Sequence, residues 1–312
     1  MPWKQNYTAS DEVSLKDDEI NWPGDRRCCV AVNVDLSLAR APDGLVPSDL
    51  SDYRAMFGLH EGMNQLLATL ERYNIKATFT VPAAMANMLK DTLRELNANG
   101  HEVAPHGFKH EDVTALSRED EKARMELATE IMTDVLGRRP RGWYSLPRQS
   151  DPFAVGTISP NTAELLIEAG YSYMGSGLSD DIPHYWVADF EKRTAILTLP
   201  YFYHFDDQFF LLFPAKGTGL ENADTLIANW RAEFDAQYKR GRHFNMTLHP
   251  HAIGRAHRLK LLEDFFSHIR GFPGIWNATG AQIADHWQQN YPASTHLRLE
   301  ESIWRDYPGS LS

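Results

Sequence analysis

The chain has almost no cysteine: Cys28 and Cys29 are the only two in 312 residues. Neighbouring residues of a strand point to opposite faces, so the pair reads as two buried thiols and excludes a disulfide scaffold or a cysteine-ligated zinc. A basic surplus is lacking too. With 31 Lys+Arg against 42 Asp+Glu, the formal net charge is -11, which leaves no positive footprint for nucleic acid or an anionic membrane. No apolar run is long enough to span a bilayer, and Met1 to Glu19 lacks the apolar core of a signal peptide. A cytoplasmic protein is expected. Repeats and low-complexity runs are missing, and no Gly-x-Gly-x-x-Gly follows the first predicted strand to support a dinucleotide site. These exclusions leave a soluble acidic enzyme acting on a small molecule. Its 43% hydrophobic content suffices for one barrel-sized core or two smaller ones.

Met1 to about Asp25 reads as an irregular arm closed by the turn Trp22-Pro23-Gly24. The nearly continuous apolar run Cys28 to Asp35 predicts a strand covered on both faces, ending on a carboxylate. Strands are predicted at 75–81, 101–104, 142–145, 171–175, 195–201, 244–249 and 274–279. Helices are predicted at 63–73, 84–98, 118–136, 161–169, 220–238, 259–269 and 281–289. Aromatic residues fill a loop from Phe202 to Phe213. Seven or eight strand–helix alternations over about 250 residues predict an α/β chain folded as one parallel (β/α) barrel spanning 26–290, between the arm of 1–25 and a tail of 291–312. An open doubly wound sheet is the alternative.

Chemistry-bearing side chains collect at one kind of place. Asp35, His106, His110, Tyr144 and His249 all lie at or just beyond the carboxyl ends of predicted strands, where barrel enzymes assemble their sites. His106 and His110 are four residues apart, so both imidazoles can reach one ion. Two hydrogen-bonded histidines near a strand end would look the same.

Ile75-Lys76-Ala77-Thr78-Phe79, Gly100-His101-Glu102-Val103, His106-x-x-x-His110 and Leu248-His249-Pro250 together resemble the polysaccharide deacetylase superfamily, also called carbohydrate esterase family 4. The likeness covers about residues 25 to 290. Gly142-Trp143-Tyr144, Ser159-Pro160-Asn161-Thr162, Asp180-Asp181-Ile182-Pro183 with Tyr185-Trp186, and His249 followed by Gly254-Arg255 are similar to the branch of metal-independent allantoinases and cyclic imidases. The resemblance implies a distorted parallel barrel of seven or eight strands, carbon–nitrogen bond hydrolysis and a homotetramer.

Carried onto this chain, it makes Asp35, His106 and His110 the ligands of a divalent metal ion: zinc first, with manganese, nickel or iron also suited to the set. Some members of the allantoinase branch have no ion. His249 would protonate the leaving nitrogen. Where the family carries a second acid beside the metal ligand, this chain has Asn33 and Leu36. Asparagine cannot accept a proton at neutral pH, so Asn33 would orient water or be satisfied inside the barrel. The base would be metal-bound hydroxide or Glu111, which could equally fix an imidazole tautomer or be solvated. Trp143, Tyr144, Tyr185, Trp186, Tyr201, Tyr203 and Phe205 are expected in loops at the site end, either stacking on a flat ring or packing on one another. Arg148 lies in an insertion between Trp143-Tyr144 and Ser159, and Arg255 could bind a carboxylate or carbonyl oxygen or simply sit exposed at a helix start. The resulting expectation is a metal-dependent hydrolase of a cyclic amide, imide or ureide. The alternatives are a carbohydrate N-deacetylase and a catalytically inactive member.

Overall fold

The computed structural model describes residues 15–148, 151, 154–189, 192, 194–211 and 223–297. Much of the predicted arm (1–14), most of the tail (298–312) and the loop residues Leu212 and Phe213 lie outside them.

Strand β1 (Cys28–Asp35) is buried along its whole length because it is covered twice. Val30, Val32 and Val34 belong to the core shared with the outer helices, whereas Cys29 and Ala31 face an inner core with Ala104, Tyr144 and Tyr173. That alternation continues inward through Asn33 to Asp35. β1 pairs in parallel with β8 (His243–Leu248) along one edge. On the other edge β2 (Thr78–Val81) takes the carboxyl end and β9 (Ile275–Asn277) the amino end. β3 (Glu102–Pro105) extends this sheet beyond β2.

A second sheet holds β4 (Gly142–Trp143), β5 (Tyr173–Gly177), β6 (His184–Asp189) and β7 (Thr194–Pro200) in the order β4-β5-β7-β6. Among the described residues two backbone seams join the sheets. The Tyr144 N–H donates to the Pro105 carbonyl (3.0 Å) beside β3, and Asp206 forms a single parallel bridge with Thr247 of β8. The expected distorted barrel is therefore two arcs stitched at two narrow points.

Helices 63–73, 118–136, 223–240 and 256–270 pack outside, near the predicted limits. The 118–136 helix starts where Ser117 accepts the Asp120 N–H and stops at Gly137, φ 70°. Two expectations change. The helix expected over 84–98 is two helices, Ala83–Ala86 and Lys90–Ala98. Tyr185 and Trp186, expected in a loop, lie in β6, which runs antiparallel to β7; Tyr185 and Val187 alternate into the inner core, the period-2 signal that the flanking motif obscured. Among the described residues no helix is long and apolar enough to cross a membrane.

One buried acid closes the barrel floor. Glu102 accepts the Ala281 N–H (2.7 Å), the Tyr173 hydroxyl (2.8 Å) and the Thr78 hydroxyl (3.3 Å), and Thr78 in turn accepts the Gly280 N–H (2.9 Å). The amino end of the helix Gly280–Asn290 is thus tied to β2, β3 and β5. Gly280 permits the approach, since a Cβ there would stand 2.3 Å from the Tyr173 hydroxyl.

Replacing Glu102 with Ala strands three buried donors, at an expected cost of about 3 kcal/mol, read from urea unfolding; Glu102→Gln should recover much of it, and an unchanged midpoint in the Ala variant would contradict this role. His243, buried at the start of β8, is pushed down to about 4 by burial. Its folded value lies below its unfolded one, so its stabilising contribution is present above about pH 6.5 and is lost as pH falls toward 4. Thermal melts should show a loss on the order of 3 kcal/mol over that window, reduced in His243→Phe.

Candidate active site

Asp35 ends β1 and is 1% exposed. Its Oδ1 accepts the Ser37 N–H (2.7 Å) and the Thr80 hydroxyl (3.4 Å). Its Oδ2 faces two imidazoles: His106 Nε2 at 3.5 Å, from the residue after β3, and His249 Nε2 at 3.4 Å, from the residue after β8. Asp35, His106 and His249 thus come from the carboxyl ends of three parallel strands of one sheet, β1, β3 and β8. On the far side of His249, Nδ1 lies 2.7 Å from Asp207 Oδ1, and Asp207 also accepts the His249 backbone N–H (3.0 Å). Asp206 stands 3.5 Å from Nδ1 and accepts the Tyr201 hydroxyl (2.9 Å) and the Gln208 N–H (3.0 Å).

Burial opposes every charge here, and partners decide the outcome. Against burial, Asp206, Asp207 and Asp35 hold His249 well above the usual imidazole range, so it carries a proton at neutral pH. Against burial, His106 and His249 hold Asp35 well below the carboxylate range. Burial, with the neighbouring Asp207 charge adding to it and the His249 charge opposing it, pushes Asp206 up to about 7. His251, whose ring is 5.5 Å from that of His249, is pushed down to about 3 by burial and the His249 charge and stays neutral.

The metal set of Asp35, His106 and His110 does not fit as a chelate. His110 has φ 58° and both of its ring nitrogens are engaged: Nε2 lies 2.8 Å from the Leu146 carbonyl and Nδ1 2.7 Å from Ser37 Oγ. A carbonyl only accepts, so Nε2 carries the hydrogen and Nδ1 accepts from Ser37. No lone pair is left for an ion. His106 Nε2 is the available nitrogen, buried without a hydrogen-bond partner among the described residues. Among the described residues, the acidic and histidine side chains that could surround a cation are instead Asp206, Asp207 and His249, whose donor atoms lie within 4.8 Å of one another. Those atoms already serve each other as an ion-paired network.

Asn33 lies buried on the inner face of β1. Glu111, a candidate base, pairs with Arg124 (2.9 Å) and accepts the Lys109 N–H (2.6 Å). It lines a cavity of about 30 Å³ with His106, His110, Trp143 and Tyr144, behind the rings and separate from the cleft of Asp35 and His249. Trp143 packs edge-on against Tyr171, and Tyr144 against Tyr173. Tyr185 donates to the Tyr291 carbonyl. Tyr203 is 37% exposed in a short turn, and Arg255 lies over the Phe57 ring (3.6 Å). None of these reaches the cleft. Arg148 does, 1% exposed in its side chain, with its guanidinium on the His110 and Val155 carbonyls and on Asp151. Sequence reasoning missed Ser37, Arg54, Asp206, Asp207 and His251. The adjacent acids of Phe205-Asp206-Asp207, just past a strand, were the one available signal.

Residues 37–174 match the polysaccharide deacetylase family model. Over this stretch, which is under half of the chain, the sequence is similar to that family. The matched segment contains His106 and His110 but stops short of Asp35 on one side and His249 on the other. Domains of this family hydrolyse carbon–nitrogen amide bonds. A peptidoglycan deacetylase of Helicobacter pylori is 25% identical over 272 residues, 79% of this chain and 89% of its own. Among solved structures, a probable polysaccharide deacetylase of Pseudomonas aeruginosa PAO1 has TM-score 0.75 at 25% identity, covering 89% of this chain and 96% of that one. PuuE allantoinase has TM-score 0.77 at 22% identity, covering 94% and 99%, a likeness of fold.

In ¹⁵N-histidine spectra of the full chain, His110 should be the Nε2–H tautomer at neutral pH and stay so after one equivalent of Zn²⁺. A zinc-induced change at His110 would restore it as a ligand.

Proposed function

We propose that this chain hydrolyses the carbon–nitrogen bond of a small cyclic amide, imide or ureide by acid–base catalysis. The observation that carries the reading is the enclosure of a charged histidine. His249 is fixed between Asp207 and Asp35 in a cleft with about 10 Å³ of free volume, room for about one water molecule, and Asp35, His106 and His249 are 1, 1 and 2% exposed. A site sunk this deeply suits a small ring, which a modest opening would admit, better than a sugar polymer that must lie along an open groove.

Asp35 Oδ2 takes a proton from water as its oxygen bonds to the amide carbon. His249 Nε2 gives its proton to the ring nitrogen, and the carbon–nitrogen bond breaks with its electron pair on that nitrogen. The Asp35 proton then crosses the 3.4 Å to His249 Nε2, so the pair returns to its starting state. Asp207 orients the imidazole and favours its charged form throughout. Arg124 holds Glu111 apart from this exchange.

The resemblance to a peptidoglycan deacetylase supports a second reading, removal of an acetyl group from an amino sugar by the same pair. The first reading extends to a cytoplasmic homotetramer, for which light scattering should give four chain masses.

Turnover of hydantoin or succinimide, with N-acetylglucosamine oligomers inert, is the expected result; hydrolysis of the sugars alone would overturn the ranking. His249→Gln should lower kcat by about 10³-fold and Asp207→Asn by about 10²-fold, with unchanged circular dichroism.

A further inference from the structure

The cleft that Arg148 lines also carries two polar residues with no part in the proton transfers. Arg54 and His251 line the cleft together with Asp35 and His249, and both also line the adjoining recess under Leu38 and Leu59. The Arg54 side chain is 4% exposed, with its Nε donating to Asp52 Oδ1 (2.9 Å). Asp52 caps the short helix Tyr53–Phe57 and accepts the Arg54 N–H as well, so backbone and guanidinium are held by one carboxylate. His251 is 7% exposed, and its Nε2 is buried without a hydrogen-bond partner among the described residues. Its backbone cannot retreat, because Gly58 packs so closely that a Cβ there would stand 2.7 Å from His251 Cβ. A guanidinium, which only donates, and a neutral imidazole with an unpaired buried nitrogen, a donor in its Nε2–H tautomer, form a polar face suited to oxygen atoms of a ligand.

We propose that Arg54 and His251 are the specificity-determining residues of the cleft: they bind carbonyl oxygens on both sides of the reacting nitrogen, so the substrate is a cyclic imide or ureide rather than a simple lactam. This rests on the ring-opening reading above. His249 and His251 leave the same turn two residues apart, with ring centroids 5.5 Å apart. A nitrogen placed at His249 therefore has the flanking carbonyl of an imide within reach of His251, and the scissile carbonyl, which gains negative charge on attack, is left to Arg54. A lactam lacks the second oxygen and would leave the His251 nitrogen buried and unpaired, the condition under which polar sites discriminate most strongly.

Succinimide and 2-pyrrolidone are rings of one size that differ by this oxygen. Their dissociation constants should be measured on the full chain carrying His249→Gln, which binds without turnover. Succinimide should bind at least tenfold more tightly than 2-pyrrolidone and shift the His251 Nε2 resonance. His251→Phe should bring the two affinities within about twofold, His251→Asn should keep part of the preference, and Arg54→Gln should weaken both rings. Retention of the full preference in a folded His251→Phe protein, or an unmoved His251 resonance at saturating succinimide, would overturn the proposal. In that event turnover of succinimide by the unaltered chain would leave ring opening standing; its failure in the unaltered chain, with the binding preference intact, would remove the reaction and not the recognition.

Discussion

Everything in the upper barrel is arranged about one buried oxygen, Asp35 Oδ2, set between His106 and His249. A carboxylate at this depth is costly unless it is paired, and an imidazolium equally so. Each removes the other's penalty, and the aspartates behind His249 tip the balance toward charge separation. Removing either partner would leave an uncompensated charge in the interior, so the pair proposed for catalysis also contributes to stability. Its position follows from the parallel pairing of β1 with β2 and β8, which brings their carboxyl ends to one rim.

In the proposed reaction the charge pattern dispenses with an acid at position 33. Asn33 shares the inner face of β1 with Asp35 but cannot take a proton. The Asp35–His249 couple can both receive a proton and hand it on, so no second carboxylate is required on β1. What the couple does require is a counter-charge behind His249, and Asp207 supplies it from a different element (Asp207–Leu211).

The fold was legible because it is written in long periodic stretches. The run Cys28 to Asp35 and the helix 118–136 fall at their predicted limits. β6 escaped because its alternation is short and lies beside a motif that draws attention to side-chain identity. For the site, strand ends located Asp35, His106 and His249 well. His110 shows the limit of spacing as evidence: four residues along the chain bring its ring 3.7 Å from that of His106, yet Ser37 and the Leu146 carbonyl, distant in sequence, take both of its nitrogens. Arg54 and His251 could not be found by pattern, since their place in the cleft depends on how the turn at 58–62 packs against 250–254.

The seam between the two sheets carries a consequence for how the site is assembled. Asp206 bridges to Thr247 on β8, and the next residue, Asp207, grips His249 at the end of that same strand. The stitch between the two arcs and the clamp on His249 are thus consecutive residues. A partly folded chain with its arcs still apart would hold His249 without that clamp, so the proposed proton donor is oriented only once this seam has closed.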